Sequence, residues 1–287
     1  MYRQIIALCL LGLMCSCTGS RKNTDSLSPE PLLEDTLQTI ADTLIIEEEP
    51  IEEELQLPAV VDESFADFFY NFALNEKLQR SRIKFPLPCY TDSRKDSIVR
   101  NEWIYDPFFS QLESYSILFD KGEDMDLEKS FASTSVQIEW VYLATERIKR
   151  YYFERIQGQW LLEAIDYAAI SEKESEHEDF YDFYQRFATD SVFQAERVVS
   201  PLPFVTVDPD DEFQMLETTL ELGQWFAFQP ILPKEFLTNV NYGQRLDKNS
   251  RTRIIEMKGF ENGFCNLLHF HRRGGKWRLV KFEDLGD

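Results

Sequence analysis

The run Asp67-Phe68-Phe69-Tyr70-Asn71-Phe72-Ala73 returns 115 residues later as Asp182-Phe183-Tyr184-Gln185-Arg186-Phe187-Ala188, and this recurrence decides how the chain is read. The same offset aligns Arg82-Ile83 with Arg197-Val198, and Pro86-Leu87-Pro88 with Pro201-Leu202-Pro203, without a gap. Further on, Phe153, Arg155, Gly158, Trp160 and Leu162 match Phe270, Arg272, Gly275, Trp277 and Leu279 at an offset of 117. Chance does not keep both order and spacing, so the chain reads as two copies of one unit, residues 62–170 and 171–287.

Each copy opens with apolar residues at helical spacing: Phe65, Phe68, Phe69 and Phe72 in the first, Phe180, Phe183, Tyr184 and Phe187 in the second. The Pro-Leu-Pro that follows cannot continue a helix, since proline lacks the amide and restricts its predecessor; an exit into a loop is expected there. The later part of each copy has strand character. Ile138, Trp140 and Tyr142 alternate with Gln137, Glu139 and Val141, the first three reading as the inward face. In the second copy, Arg253–Met257, Phe264–His271 and Trp277–Phe282 are separated by Asn262-Gly263 and Gly274-Gly275, dipeptides that tolerate the positive φ of tight hairpins. The fold class expected is therefore α+β, helices first and an antiparallel meander last, with each copy of about 110 residues able to fold singly.

An aromatic helix, a middle segment and a long final meander ending in a Gly-x-Trp hairpin resemble the nuclear transport factor 2-like cone; a cystatin-like α+β domain is the alternative these residues leave open. The doubling behind an N-terminal leader is similar to a family of bacterial envelope lipoproteins with two such domains in tandem. The resemblance implies helices packed on a curved sheet and a pocket at the open end of each cone. That fold hosts isomerases, dehydratases, binding modules and dimerisation units, so it does not name a function.

The leader itself consists of Arg3 followed by the apolar run Ile5–Met14, shorter than the roughly 20 apolar residues that span a bilayer. Residues 1–16 read as a signal peptide. Leu13-Met14-Cys15-Ser16-Cys17 resembles the lipobox of bacterial lipoproteins, which implies cleavage before Cys17, acylation of that cysteine and attachment to a membrane through several acyl chains. Residues 17–61 read as a solvated tether. The stretch 23–63 alone holds thirteen acids and no Lys or Arg, so much of the net charge of −21 belongs to it rather than to a folded body. No dense acidic cluster follows Cys17 directly, which favours a lipid-anchored protein facing the periplasm of the cell envelope.

Chemistry is sparse. The one basic cluster, Arg272-Arg273 with Lys276 and Arg278, sits at a hairpin turn, which argues against nucleic acid as a partner. His269 and His271 share a strand face without a third ligand, and His177 lies in an acidic linker, so no metal is expected. Cys89 and Cys265 occupy non-equivalent positions and read as small buried thiols in preference to a bridge between the copies. The repeated Asp67 and Asp182 lie in first helical turns, where a carboxylate favours the helix dipole, so a structural role is preferred over general-base work. Arg82 and Arg197 are expected to pair with an acid or cap a helix end. Aromatics in the middle of each copy, Trp103 and Tyr105 in the first and Trp225 and Phe226 in the second, are the candidate pocket residues, with plain core packing as the competing role. No catalytic residues and no cofactor motif stand out. The resulting expectation is a membrane-anchored, non-enzymatic module binding a small ligand or an envelope protein. The alternatives are an envelope isomerase, dehydratase or hydrolase with an acid in one cone, and an architectural subunit of an envelope complex.

Overall fold

Helix α1 (Phe65–Leu74) starts where Ser64, in extended backbone, accepts the Asp67 amide on its hydroxyl, and its phenylalanines fall on one buried face. Asn75 closes it and in the same step caps α2 (Glu76–Ser81) by accepting the Leu78 amide. The second half repeats this with aspartates: Asp179 caps α3 (Phe180–Thr189) and Asp190 caps α4 (Ser191–Arg197). The computed structural model describes residues 61–287 apart from positions 93, 130, 131, 171–176, 261 and 287. The leader, Cys17 and residues 18–60 lie outside the described residues. Everything described belongs to a unit spanning Glu53–Asp287.

In the first half, strands β1 (Leu87–Thr91), β2 (Arg94–Ile98), β3 (Tyr115–Phe119), β4 (Ser135–Tyr142), β5 (Arg147–Ile156) and β6 (Gln159–Ala169) follow the helix pair. The second half runs β7 (Leu202–Asp208), β8 (Asp211–Leu220), helix α5 (Leu222–Phe228), β9 (Phe236–Asn241), β10 (Thr252–Lys258), β11 (Cys265–Arg273) and β12 (Lys276–Asp284). The last hairpin of each half turns through two residues at positive φ, Gln157-Gly158 (51° and 86°) and Gly274-Gly275 (57° and 77°), the geometry that matches the twist of the flanking strands.

The Pro-Leu-Pro segments lead straight into strands instead of loops. Both Pro86 and Pro201 follow cis peptide bonds. Pro88 is tolerated in β1 because the pairing with β6 begins only at Cys89, and Pro203 in β7 because the pairing with β12 begins at Phe204. These two pairings are parallel, so each sheet is mixed where a purely antiparallel one was expected. On β4 the inward face also differs. Val136, Ile138 and Val141 are buried, whereas Trp140 and Tyr142 stay half-buried.

The sheets are six-stranded, in the orders β2-β1-β6-β5-β4-β9 and β8-β7-β12-β11-β10-β3. The orders are the same in repeat terms except that the halves have exchanged one strand: β9 of the second half pairs with β4, and β3 of the first half pairs with β10. Where the exchanged strands cross, Ser116 meets its repeat counterpart Thr238. The Ser116 amide donates to Thr238 Oγ1 (2.6 Å) and the Thr238 amide to Ser116 Oγ (3.0 Å), while each hydroxyl donates to the other residue's carbonyl (2.7 and 3.0 Å). This reciprocity is what a pseudo-twofold contact requires. Thr238→Val keeps the shape and removes one hydroxyl, leaving a buried amide and carbonyl of Ser116 without these partners. A loss of about 2–5 kcal/mol is expected, read as a lower urea midpoint, with Thr238→Ser close to wild type.

Because successive strand residues point to opposite faces, the exchange also mixes the cores. Ile117 and Phe119 join the first cluster, around α1, Phe108, Phe153 and Trp160, while Leu118 joins the second, around α3, Trp225, Phe270 and Trp277. Val240 and Tyr242 cross the other way. Both interiors are filled by aromatic rings meeting edge to face, as Phe65 does with Trp160 and Phe180 with Trp277.

Candidate functional site

The repeated arginines build the same clamp twice. Arg82 grips Asp62 with both terminal nitrogens (3.0 and 2.8 Å), and Asp62 also accepts the Trp160 amide. Arg197 grips Glu178 in the same way (2.9 and 3.0 Å), and Glu178 accepts the Trp277 amide. Each clamp ties the chain entering a first helix to the final hairpin of its half. In the second half it also sets one wall of a cleft.

That cleft, of about 500 Å³, opens where β4 and β5 of one sheet face β10 and β11 of the other, with the start of α3 and the segment 244–248 at its rim. Five cationic side chains line it: Arg150, Arg245, Lys248, Arg253 and Arg272. Among the described residues three acids do, and all three are engaged. Glu139 accepts Arg150 Nε (2.8 Å) and Asn239 Nδ2 (2.7 Å), Glu178 is held by Arg197, and Asp179 caps α3. Asn239 in turn accepts the Leu118 amide, so the cleft wall is bonded to the exchanged strand. Deeper in, Arg253 pairs with Asp120 at 3.0 Å, their side chains 5% and 7% exposed, and its guanidinium lies over the Phe180 ring. Burial pushes the Asp120 carboxyl upward and Arg253 opposes the shift. Arg272 is buried, lies over the Trp277 ring at 5.3 Å and donates Nη2 to the Asn249 carbonyl; among the described residues it has no carboxylate partner.

The aromatics singled out from sequence lie elsewhere. Trp103 is buried and donates its indole N–H to Gln79 Oε1, and the Tyr105 hydroxyl donates to the Ala73 carbonyl. Trp225 is fully buried edge-on to Phe282, and Phe226 packs half-buried on the second core. None of the four lines the cleft. Close to Tyr105, the Tyr151 hydroxyl donates to the Asp106 carboxylate, with Lys149 over the Tyr151 ring. Burial raises the Tyr151 phenol and lowers the Lys149 ammonium, and the three groups satisfy one another. At the start of α1 a smaller recess of about 250 Å³ is aromatic instead, lined by Phe65, Phe69, Tyr70, Tyr115, Tyr242 and Phe260. Asp67 at its rim accepts the Ser64 hydroxyl in a cap. The two recesses, each lined by residues of both halves, are therefore of unlike chemistry.

The histidines are also accounted for. His269 Nε2 meets Glu283 Oε1 at 2.6 Å, and His271 Nδ1 accepts Arg273 Nε. Among the described residues no group of three His, Cys, Asp or Glu is arranged to hold a metal. Cys89 and Cys265 are free thiols. Burial raises both, Cys265 to about 11, so its thiolate is scarce at pH 8. Both thiols are half-buried, so alkylation of the native protein at pH 8 is expected to be slow and to accelerate as pH rises towards 11 or when urea is added; fast native labelling counts against thiols shielded in this way.

Strands, helix pairs and mixed sheets of this kind define an NTF2-like α+β protein. The chain is similar to the crystal structure of an NTF2-like protein from Bacteroides fragilis NCTC 9343, with 51% identity and a TM-score of 0.78 over 80% of this chain and 100% of that one. It belongs to the family described as "domain of unknown function (DUF4348)", whose model matches residues 41–284. No curated protein matches the sequence.

Sequence reasoning missed the cleft because its walls come from segments far apart in the chain. One signal was present: Arg272, already noted in the basic cluster at the last hairpin.

Proposed function

We propose that this chain is a lipid-anchored binding protein of the bacterial cell envelope, a non-enzymatic module held to a membrane through Cys17 and presenting the cleft between its two halves to a polar ligand. The observation that carries the binding half of this reading is the cleft itself: about 500 Å³, walled by both sheets, with the acids among its described lining residues all committed to internal partners and so none of them poised as a general base. The anchor rests on the leader, the lipobox-like residues and the acidic stretch that follows them. Substitution of Cys17→Ser is expected to move the protein from the membrane fraction to the soluble fraction and to abolish the mass added by acylation. A variant that stays with the membrane and keeps its mass sinks the anchor. For the binding half, ligand-dependent shifts of backbone amides should map to the cleft; shifts confined to the aromatic recess at α1 would relocate the site.

A further inference from the structure

We infer that the cleft receives a small oxyanion-bearing ligand, a phosphate or a carboxylate, gripped by the guanidinium of Arg272 with Arg245 at the rim; this rests on the binding reading above and adds the ligand's class to it. Among the described lining residues cations outnumber acids, and each of those acids is bonded inside the protein. Arg253 and Arg272 make the telling contrast. Both are buried, at 4% and 7% exposure, but only Arg253 is given a buried carboxylate, Asp120. A buried cation is costly unless an anion and hydrogen bonds compensate it. Among the described residues the compensation Arg272 receives is the face of Trp277 and one side-chain bond, Nη2 to Asn249 O, which leaves its other side-chain N–H groups for a ligand. The planar fork of a guanidinium suits two parallel bonds to an oxyanion, and the Trp277 ring beneath Arg272 limits where that fork can turn.

Two further features point the same way. Arg245 is exposed at the rim and makes no ion pair among the described residues. Beyond Arg272 lies a second recess, lined by His177, Arg251, His271, Arg273 and the hairpin glycines, with no acid among its described lining residues. Arg272 thus stands as the wall between two cationic hollows, and the basic cluster that sequence alone left as a hairpin ornament becomes part of an anion site.

The test is calorimetric titration of the full chain in detergent with inorganic phosphate and, separately, with citrate, ionic strength held constant with sodium chloride. Saturable binding of at least one is expected, and the two arms tell phosphate from carboxylate recognition. Affinity should fall about tenfold or more in Arg272→Gln and less in Arg245→Gln, whose exposed side chain can be changed without disturbing the core. Arg272→Lys keeps the charge, loses the fork and should fall between wild type and Arg272→Gln, which guards against a fold defect in the glutamine variant. The inference is overturned if neither anion binds, or if Arg245→Gln and Arg272→Lys both bind like wild type. Cleft amides that move with a neutral probe, N-acetylglucosamine, but with neither anion would overturn the anion class alone and leave the binding reading standing. A cleft that no probe perturbs overturns both.

Discussion

Cut between residues 170 and 171, neither half is expected to survive as a soluble monomer. Each half was expected from sequence to fold alone, and its length permits that. The exchange of β3 and β9 works against it. Without the second half, β4 loses the strand that covers its outer edge from Gln137 to Tyr142, and β3 is left with no sheet to join. The first core loses Val240, Tyr242, Ile254 and Leu267 at the same time. An uncovered apolar edge is a template for pairing with another chain. Residues 62–170 should therefore aggregate or assemble as a dimer that swaps β3 between two copies, a route prepared by the crossing where Ser116 already meets its own repeat counterpart. Light scattering after size-exclusion chromatography decides it: a folded, monodisperse monomer of either half would show that the exchanged strand is dispensable. Co-expressed halves should recover one complex of full-chain mass.

Arg197→Met is expected to be among the most damaging single substitutions at a polar residue. Arg197 and Glu178 are mostly buried, with side chains 10% and 20% exposed. Removing the cation strands a carboxylate that still accepts the Trp277 amide, and breaking a buried pair in this one-sided way costs about 3–5 kcal/mol; the lower end applies because Glu178 keeps that bond and some water. The loss extends beyond charge. Arg197 also donates to the Trp277 carbonyl and lies 4.5 Å over the Phe193 ring, and Glu178 receives the Trp277 indole N–H on its own carbonyl. The start of α3 should therefore loosen from the last hairpin. Arg82→Met acts on the equivalent pair with Asp62, where Trp160 is likewise engaged through its amide. The clamps share no residue, so the double substitution should cost about the sum of the singles. Urea unfolding at unchanged m-value measures both, with Arg197→Lys intermediate because it keeps charge but not the two-pronged grip. A loss below about 1 kcal/mol in Arg197→Met would mean the clamp is decoration.

What the sequence by itself determined about this protein is everything governed by neighbours a few residues apart. Phe65, Phe68, Phe69 and Phe72 must share a helix face; Ser64, Asn75, Asp179 and Asp190 stand where a helix start needs a side-chain acceptor; Gln157-Gly158 and Gly274-Gly275 take the positive φ that a tight hairpin demands. The repeat then carried those local decisions twice along the chain, and with them the α+β class and the paired arginines. The tertiary structure alone decided which strand closes which sheet. Alternation makes β3 and β9 fit either neighbouring edge, because a strand's backbone bonds are the same whichever partner supplies them and its side chains carry only a face, not an address. The exchange was settled by two filled cores and by the reciprocal bonds of Ser116 and Thr238. The cleft followed from it: Arg150 and Arg272 lie more than a hundred residues apart in the chain, and only the packing of the two sheets brings their charges to one cleft.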